Sequence, residues 1–166
     1  CELTYGDNRY TVDFDALERR AADPAVKLML LCNPHNPAGR VWTPEELRRI
    51  GDICLRRDIL VVADEIHCEL VMPGFRYTPF ASLSEEFARR SVTCASPSKA
   101  FNLAGVQVAN IFAADAGLRE RIARSLEINE TGMISPFAIE ALTAAYTDGA
   151  EWLDALNGYL WENYLF

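Results

Sequence analysis

Two uninterrupted apolar runs of strand length, Lys27 to Cys32 and Ile59 to Ala63, stand about thirty residues apart with a helix-length segment between them. Neither alternates apolar with polar residues, so each predicts a strand buried on both faces of a mainly parallel sheet. A third strand, Val92 to Ala95, follows at a similar distance. Parallel neighbours need a crossover of a dozen or more residues, and the segments between these runs are long enough to supply one. The first crossover opens with Thr43-Pro44-Glu45-Glu46, in which Thr43 is the cap, Pro44 the first helical residue and Glu46 the acid that closes a capping box. That helix is predicted to run to about Arg57, with Leu47, Ile50 and Cys54 as its buried stripe and Arg48, Arg49 and Arg56 facing water.

The same reading extends in both directions. Asp13 to Glu18 opens a short helix with acids in its first turn, ended by Pro24. Pro73, Gly74 and Pro79 mark a loop from about Met72 to Ser82, and Leu83 to Arg90 is a short helix. A further strand is expected over Val106 to Ala113, then helices over about Asp115 to Glu127 and Pro136 to Thr147. Strand and helix alternate throughout, which defines an α/β, three-layer αβα fold around a mainly parallel sheet.

Each strand is followed at once by a polar or turn-rich segment: Asn33-Pro34-His35-Asn36-Pro37-Ala38-Gly39-Arg40, then Asp64-Glu65-Ile66-His67, then Ser96-Pro97-Ser98-Lys99-Ala100-Phe101-Asn102-Leu103-Ala104-Gly105. Asn36 and Asp64 are 28 positions apart, and Asp64 and Lys99 are 35 apart, so each closes one strand–helix unit. Loops after successive parallel strands gather at one sheet edge, where α/β proteins bind ligands. Pyridoxal phosphate needs a lysine for its aldehyde, an acid at its ring nitrogen, a donor at its ring hydroxyl, and hydroxyl or amide donors at its phosphate. The three segments hold candidates for all four.

These motifs, in this order, resemble the fold-type I class I/II aminotransferase family, and within it the carbon–sulfur β-lyases of the MalY/PatB cystathionine β-lyase type. The resemblance implies that Lys99 is the Schiff-base lysine and the catalytic base at the substrate Cα. It implies that Asp64 keeps the ring nitrogen protonated, that Asn36 and His67 meet the ring oxygen, and that the hydroxyls of Ser96 and Ser98 take the phosphate. Glu65 competes with Asp64 on residue type alone; the family spacing, acid and then ring donor three positions on, selects Asp64. Many aminotransferases have tyrosine where His67 stands and arginine where Gln107 stands. Both departures favour a β-lyase that cleaves cystathionine or a related cysteine S-conjugate to thiol, pyruvate and ammonia, with an aminotransferase as the alternative. For Arg40 the sequence leaves substrate and solvent open, and no role is assigned to it.

Composition narrows the remaining classes. A formal charge of −8 with no basic cluster argues against nucleic acid and anionic membrane as partners. Five scattered cysteines and two histidines form no metal-spacing pattern and fit a reducing, cytoplasmic setting. Apolar runs of five or six residues fall far short of the roughly 20 needed to span a bilayer. An intact Lys99 and Asp64 argue against a regulatory protein that has merely kept an enzyme's fold. The chain lacks an initiator Met and stops within a helix-like segment, so it reads as a fragment. Residues 1–147 would be part of a cofactor-binding large domain, and 148–166 the start of the helix to a small C-terminal domain. The intact protein is expected to be a homodimer. Leu153, Leu156 and Leu160 form a packing stripe on that last helix, whereas Trp152, Tyr159 and Trp161 are expected to find no partners in this chain.

Overall fold

The computed structural model describes residues 1–166. A four-stranded sheet is built from β3 (Leu28–Cys32), β4 (Leu60–Asp64), β5 (Ser91–Ala95) and β6 (Asn110–Phe112), adjacent in that order. β3, β4 and β5 are parallel, and β6 returns antiparallel to β5. The register sets Cys32, Asp64 and Cys94 side by side at the carboxyl ends of the three parallel strands.

The crossovers form as their sequences dictate. Asp13 caps α1 (Phe14–Ala21) by accepting from the Ala16 amide at 2.9 Å. Helix α2 (Pro44–Arg56) starts in a complete capping box: Thr43 Oγ1 accepts from the Glu46 amide, and Glu46 Oε2 accepts from the Thr43 amide. Ser84 caps α3 (Glu85–Arg89). The two helices α1 and α2 and the Phe80/Phe87 pair bury one core with Leu31, Val61 and Ala63 of the sheet. Phe80 and Phe87 stack with centroids 5.2 Å apart. The stack needs Gly51 in α2, where a Cβ would lie 2.5 Å from the Phe87 ring.

Two expectations are corrected, and one element is added. β3 is not buried on both faces: Leu31 is 4% exposed but Leu30 is 75% exposed. Helices α1 and α2 cover one face of this edge strand, and Leu28 and Leu30 point away from them. The strand expected over Val106–Ala113 shrinks to Asn110–Phe112, because Ala104–Val106 forms a 3-10 turn ended by Gln107 at φ 56°, which breaks the extended backbone. Residues before Asp13 form a hairpin that pattern reading passed over, β1 (Leu3–Gly6) with β2 (Arg9–Val12). Its signal is the Asp7-Asn8 pair, both at positive φ as a two-residue primed turn requires.

The carboxyl-terminal third is helical: α4 (Ala116–Ile128), α5 (Ala138–Asp148) and α6 (Ala150–Leu165). Leu153, Leu156 and Leu160 of α6 are half-buried, as their spacing predicts. Trp152, expected to lack a partner, donates from its indole nitrogen to the Ala100 carbonyl at 3.2 Å, and Trp161 stacks on Tyr164. Tyr159 remains exposed. No helix is long and apolar enough to cross a membrane.

Candidate functional site

The three post-strand segments meet at one edge because backbone hydrogen bonds stitch them there. The Asn33 amide donates to the Asp64 carbonyl and the Glu65 amide to the Cys94 carbonyl, both at 2.9 Å. These bonds extend the sheet one step beyond the strands, so the chain leaves each strand in a fixed direction.

The first segment is a closed turn. The His35 amide donates to the Arg40 carbonyl at 2.6 Å, and the Gly39 amide donates to the His35 carbonyl at 2.9 Å. Gly39 sits at φ 63°, a left-handed position that suits a residue without Cβ. The peptide bonds before Pro34 and Pro37 are both cis. Trp42 donates to the Cys32 carbonyl at 2.8 Å, and Asn33 Nδ2 donates to the Thr78 carbonyl at 3.0 Å, so both ends of the turn are anchored. Asn36 projects from it, exposed. Arg40 is buried on Glu46, with part of it in the wall of the cavity that Asn36 also lines.

At the end of β4 the two acids separate. Asp64 is exposed, and its Oδ1 accepts from the Ile66 amide at 3.2 Å. Glu65 is 2% exposed and is held by the Phe80 amide at 2.9 Å and by the Tyr77 hydroxyl. Burial pushes the Glu65 carboxyl above its ordinary range, against the lowering effect of those two donors. Burial first, and then the neighbouring Asp64 and Glu65, push the Cys94 thiol up. His67 lies on the turn that follows, half-buried, with Nδ1 enclosed and bonded to nothing in the chain.

The third segment leaves β5 through Ser96. Ser96 is 4% exposed; its hydroxyl donates to the Val108 carbonyl at 2.6 Å and accepts from the Ser98 amide at 3.1 Å. Ser98 is half-buried and Lys99 exposed, on a turn closed by the Phe101 amide donating to the Pro97 carbonyl. Helix α6 reaches both neighbouring segments, with Trp152 on the Ala100 carbonyl and Asn157 Nδ2 donating to the Glu69 carbonyl at 3.0 Å.

Asn36 and His67 share the wall of one cavity of about 750 Å³, together with His35 and the hairpin residues Asn8 and Tyr10. Asp64 lies on the rim of a second, mostly apolar cavity of about 500 Å³ along β3, and Ser96, Ser98 and Lys99 line neither. The donor set suits a flat, anionic heteroaromatic group: a free carboxylate for a ring nitrogen, an amide and an imidazole for a ring oxygen, and an exposed amine for an aldehyde. His67 Nδ1 and His35 Nδ1, on two residues of one cavity wall, are both enclosed and unpartnered, and a buried polar group without a partner costs about 1–3 kcal/mol. Arg40, Asn33 and Trp152 hold these segments in place, yet sequence reading gave none of them that role. The Glu46 capping box six residues beyond Arg40 was the available signal for the first.

The aminotransferase class I and II model matches residues 3–164. Cystathionine β-lyase PatB of Bacillus subtilis is 48% identical over 157 residues, covering 95% of this chain and 41% of its own length. Protein MalY of Escherichia coli is 36% identical, covering 91% of this chain and 38% of its own length. The crystal structure of cystalysin from Treponema denticola, which contains pyridoxal 5′-phosphate, superposes with a TM-score of 0.93 at 39% identity over 95% of this chain and 40% of that one. The chain therefore spans about 40% of the length of the relatives it matches.

Proposed function

The chain belongs to the aminotransferase class I and II family, and on that premise we propose that it carries the cofactor-binding part of a pyridoxal 5′-phosphate-dependent carbon–sulfur β-lyase acting on cystathionine or related cysteine S-conjugates. The observation that carries this reading is the His67 imidazole, which follows the Asp64 carboxylate by three residues and shares one cavity wall with Asn36. The 48% identity to PatB supports it.

The bound cofactor would supply an electrophilic aldehyde and an aromatic ring able to accept the electron pair left at the substrate Cα. In this chain Lys99 would hold the cofactor through its aldehyde, and its amine would serve as the base for the substrate Cα proton. Asp64, exposed at the strand end, holds a proton at the ring nitrogen through a charge-assisted hydrogen bond. Asn36 and His67 would orient the ring through its oxygen, and Ser98 would donate to the phosphate; Ser96 would do so only by turning its one hydroxyl proton away from the Val108 carbonyl. With the Cα proton on Lys99, the electron pair left at Cα would expel the Cβ sulfur as thiolate, and hydrolysis of the remaining enamine would give pyruvate and ammonia. Residues 1–147 would form part of the large domain and 148–166 the start of the helix leading to a small domain. The whole protein would be a cytoplasmic homodimer; five unpaired cysteines support the compartment, and exposed Met133, Phe137 and Ile139 leave apolar surface for a partner subunit.

The full-length protein is to be incubated with L-cystathionine and no 2-oxo acid. Stoichiometric thiol, pyruvate and ammonia are expected. No pyruvate, with amino-group transfer once a 2-oxo acid is added, would make it an aminotransferase.

A further inference from the structure

We propose that Arg40 is the positioning residue that holds Asn36 at the cofactor face. The inference rests on the cofactor-site reading of Asn36 and adds the device that keeps that amide in place.

Arg40 is 6% exposed, and a guanidinium at that depth needs partners. Both terminal nitrogens have them. Nη2 donates to both Glu46 oxygens, at 2.9 and 2.8 Å, Nη1 donates to the Tyr10 carbonyl, and the group lies 4.5 Å above the Trp42 ring. Glu46 Oε2 also accepts from the Thr43 amide at 2.8 Å, so the guanidinium is tied to the first turn of α2. One nitrogen meets Glu46 while the other reaches the Tyr10 carbonyl, and a single lysine ammonium cannot span both partners in this planar arrangement.

The same residue closes the Asn36 turn through its backbone. Its carbonyl accepts from the His35 amide, and its amide donates to the His35 carbonyl at 3.3 Å. Asn36 follows His35 directly and is itself exposed. The side chain of Arg40 thus connects the turn that presents Asn36 to helix α2 and to hairpin strand β2. Stability alone does not account for a charge in this place, because apolar residues of similar volume often replace buried ion pairs without loss. An anchored turn with one polar tip does account for it.

The test is a double-mutant cycle on cofactor affinity in the full-length protein. Arg40→Lys keeps the charge and loses the second arm, Nη1 on the Tyr10 carbonyl; the Kd for pyridoxal phosphate, measured by equilibrium dialysis, is expected to rise about tenfold, the loss of roughly one hydrogen bond. In an Asn36→Ala background the same change is expected to move Kd less than twofold, while the thermal midpoint of the cofactor-free protein falls equally in both backgrounds. Glu46→Gln loosens the guanidinium from its other partner and is expected to give the same pattern, should the arginine variant fold poorly. An equal rise in Kd in both backgrounds would overturn the inference and leave the site intact. An Asn36→Ala protein with unchanged Kd would instead overturn the role of Asn36 itself, and the inference with it.

Discussion

Asp64 and Glu65 are consecutive residues with opposite environments: the first ends β4 with an exposed carboxylate, and the second turns under the sheet edge, where the Phe80 amide and the Tyr77 hydroxyl occupy its oxygens. The strand's alternation produces this. One carboxylate is left for a ligand, and the other closes the loop carrying Phe80 against the core.

The two acids are therefore separable by substitution. On the proposed function, Asp64→Asn is expected to lower turnover of the full-length protein by about 10²-fold or more, with the thermal midpoint unchanged, since only the Ile66 amide loses its charged acceptor. Steady-state pyruvate release and a thermal melt read both effects.

Glu65 carries a pH dependence of stability. Burial raises its folded pKa above the unfolded value near 4.5, so the folded state binds the proton more tightly. Its contribution is fully present below the unfolded pKa and is lost as pH rises through the folded pKa. Gln at this position keeps an acceptor for the Phe80 amide and has no charge to bury. Melts of Glu65→Gln are expected to vary less between about pH 4.5 and neutrality than those of the parent. Equal pH dependence in the two proteins would contradict the assignment.

Lys99 is exposed and makes no structural contact that its loss would break. Lys99→Ala in the full-length protein is expected to abolish the visible absorption of the lysine-bound cofactor and to reduce turnover by at least about 10³-fold. Folding should be unaffected. Retained turnover would sink the whole functional reading.

Ser96 and Ser98 differ in what else they do. The Ser96 hydroxyl already serves the Val108 carbonyl and the Ser98 amide, so Ser96→Ala strands two groups and is expected to cost about 1–3 kcal/mol of stability as well as cofactor affinity. Ser98→Ala is expected to raise the cofactor Kd by about tenfold, the loss of one charge-assisted hydrogen bond, at unchanged stability. Titration and urea unfolding of both variants distinguish the two roles.

Much of this architecture is legible in residue pattern. The α2 capping box, the apolar strand at Ile59–Ala63 and the Asp13 cap are local signals with local causes, and each forms where its residues predict. The exposed face of β3 is not local: whether Leu30 is covered depends on which elements pack above it, and a run of leucines carries no record of that. Gln107 shows the same limit, since its left-handed backbone follows from the turn that ends at Val106 rather than from its own side chain. In the site, Asn36, Asp64, His67 and Lys99 are candidates by residue type and by their place after successive strands, with family spacing alone choosing Asp64 over Glu65, whereas Arg40 and Trp152 act through partners 30 and 52 positions away.

Gly149 joins α5 to α6 at an ordinary φ of −86°, so it is space rather than backbone freedom that calls for glycine. A Cβ there would lie 2.3 Å from the Ala145 carbonyl oxygen and 2.5 Å from the Phe101 ring, which itself packs edge-on against Tyr146. Phe101 is two residues beyond Lys99, and Trp152 of the same helix start holds the Ala100 carbonyl. Gly149→Ala must therefore push α6 and the lysine turn apart. Overpacking of this kind costs about 1–3 kcal/mol, and each kcal/mol lowers the midpoint by about 2–4 °C in a domain of this size. Turnover should fall alongside stability, because the displaced turn carries the amine. Adding Phe101→Leu removes the ring contact and is expected to restore part of both losses. If the double variant melts no higher than Gly149→Ala alone, the ring is not what the glycine accommodates, and the carbonyl of Ala145 is the contact that decides.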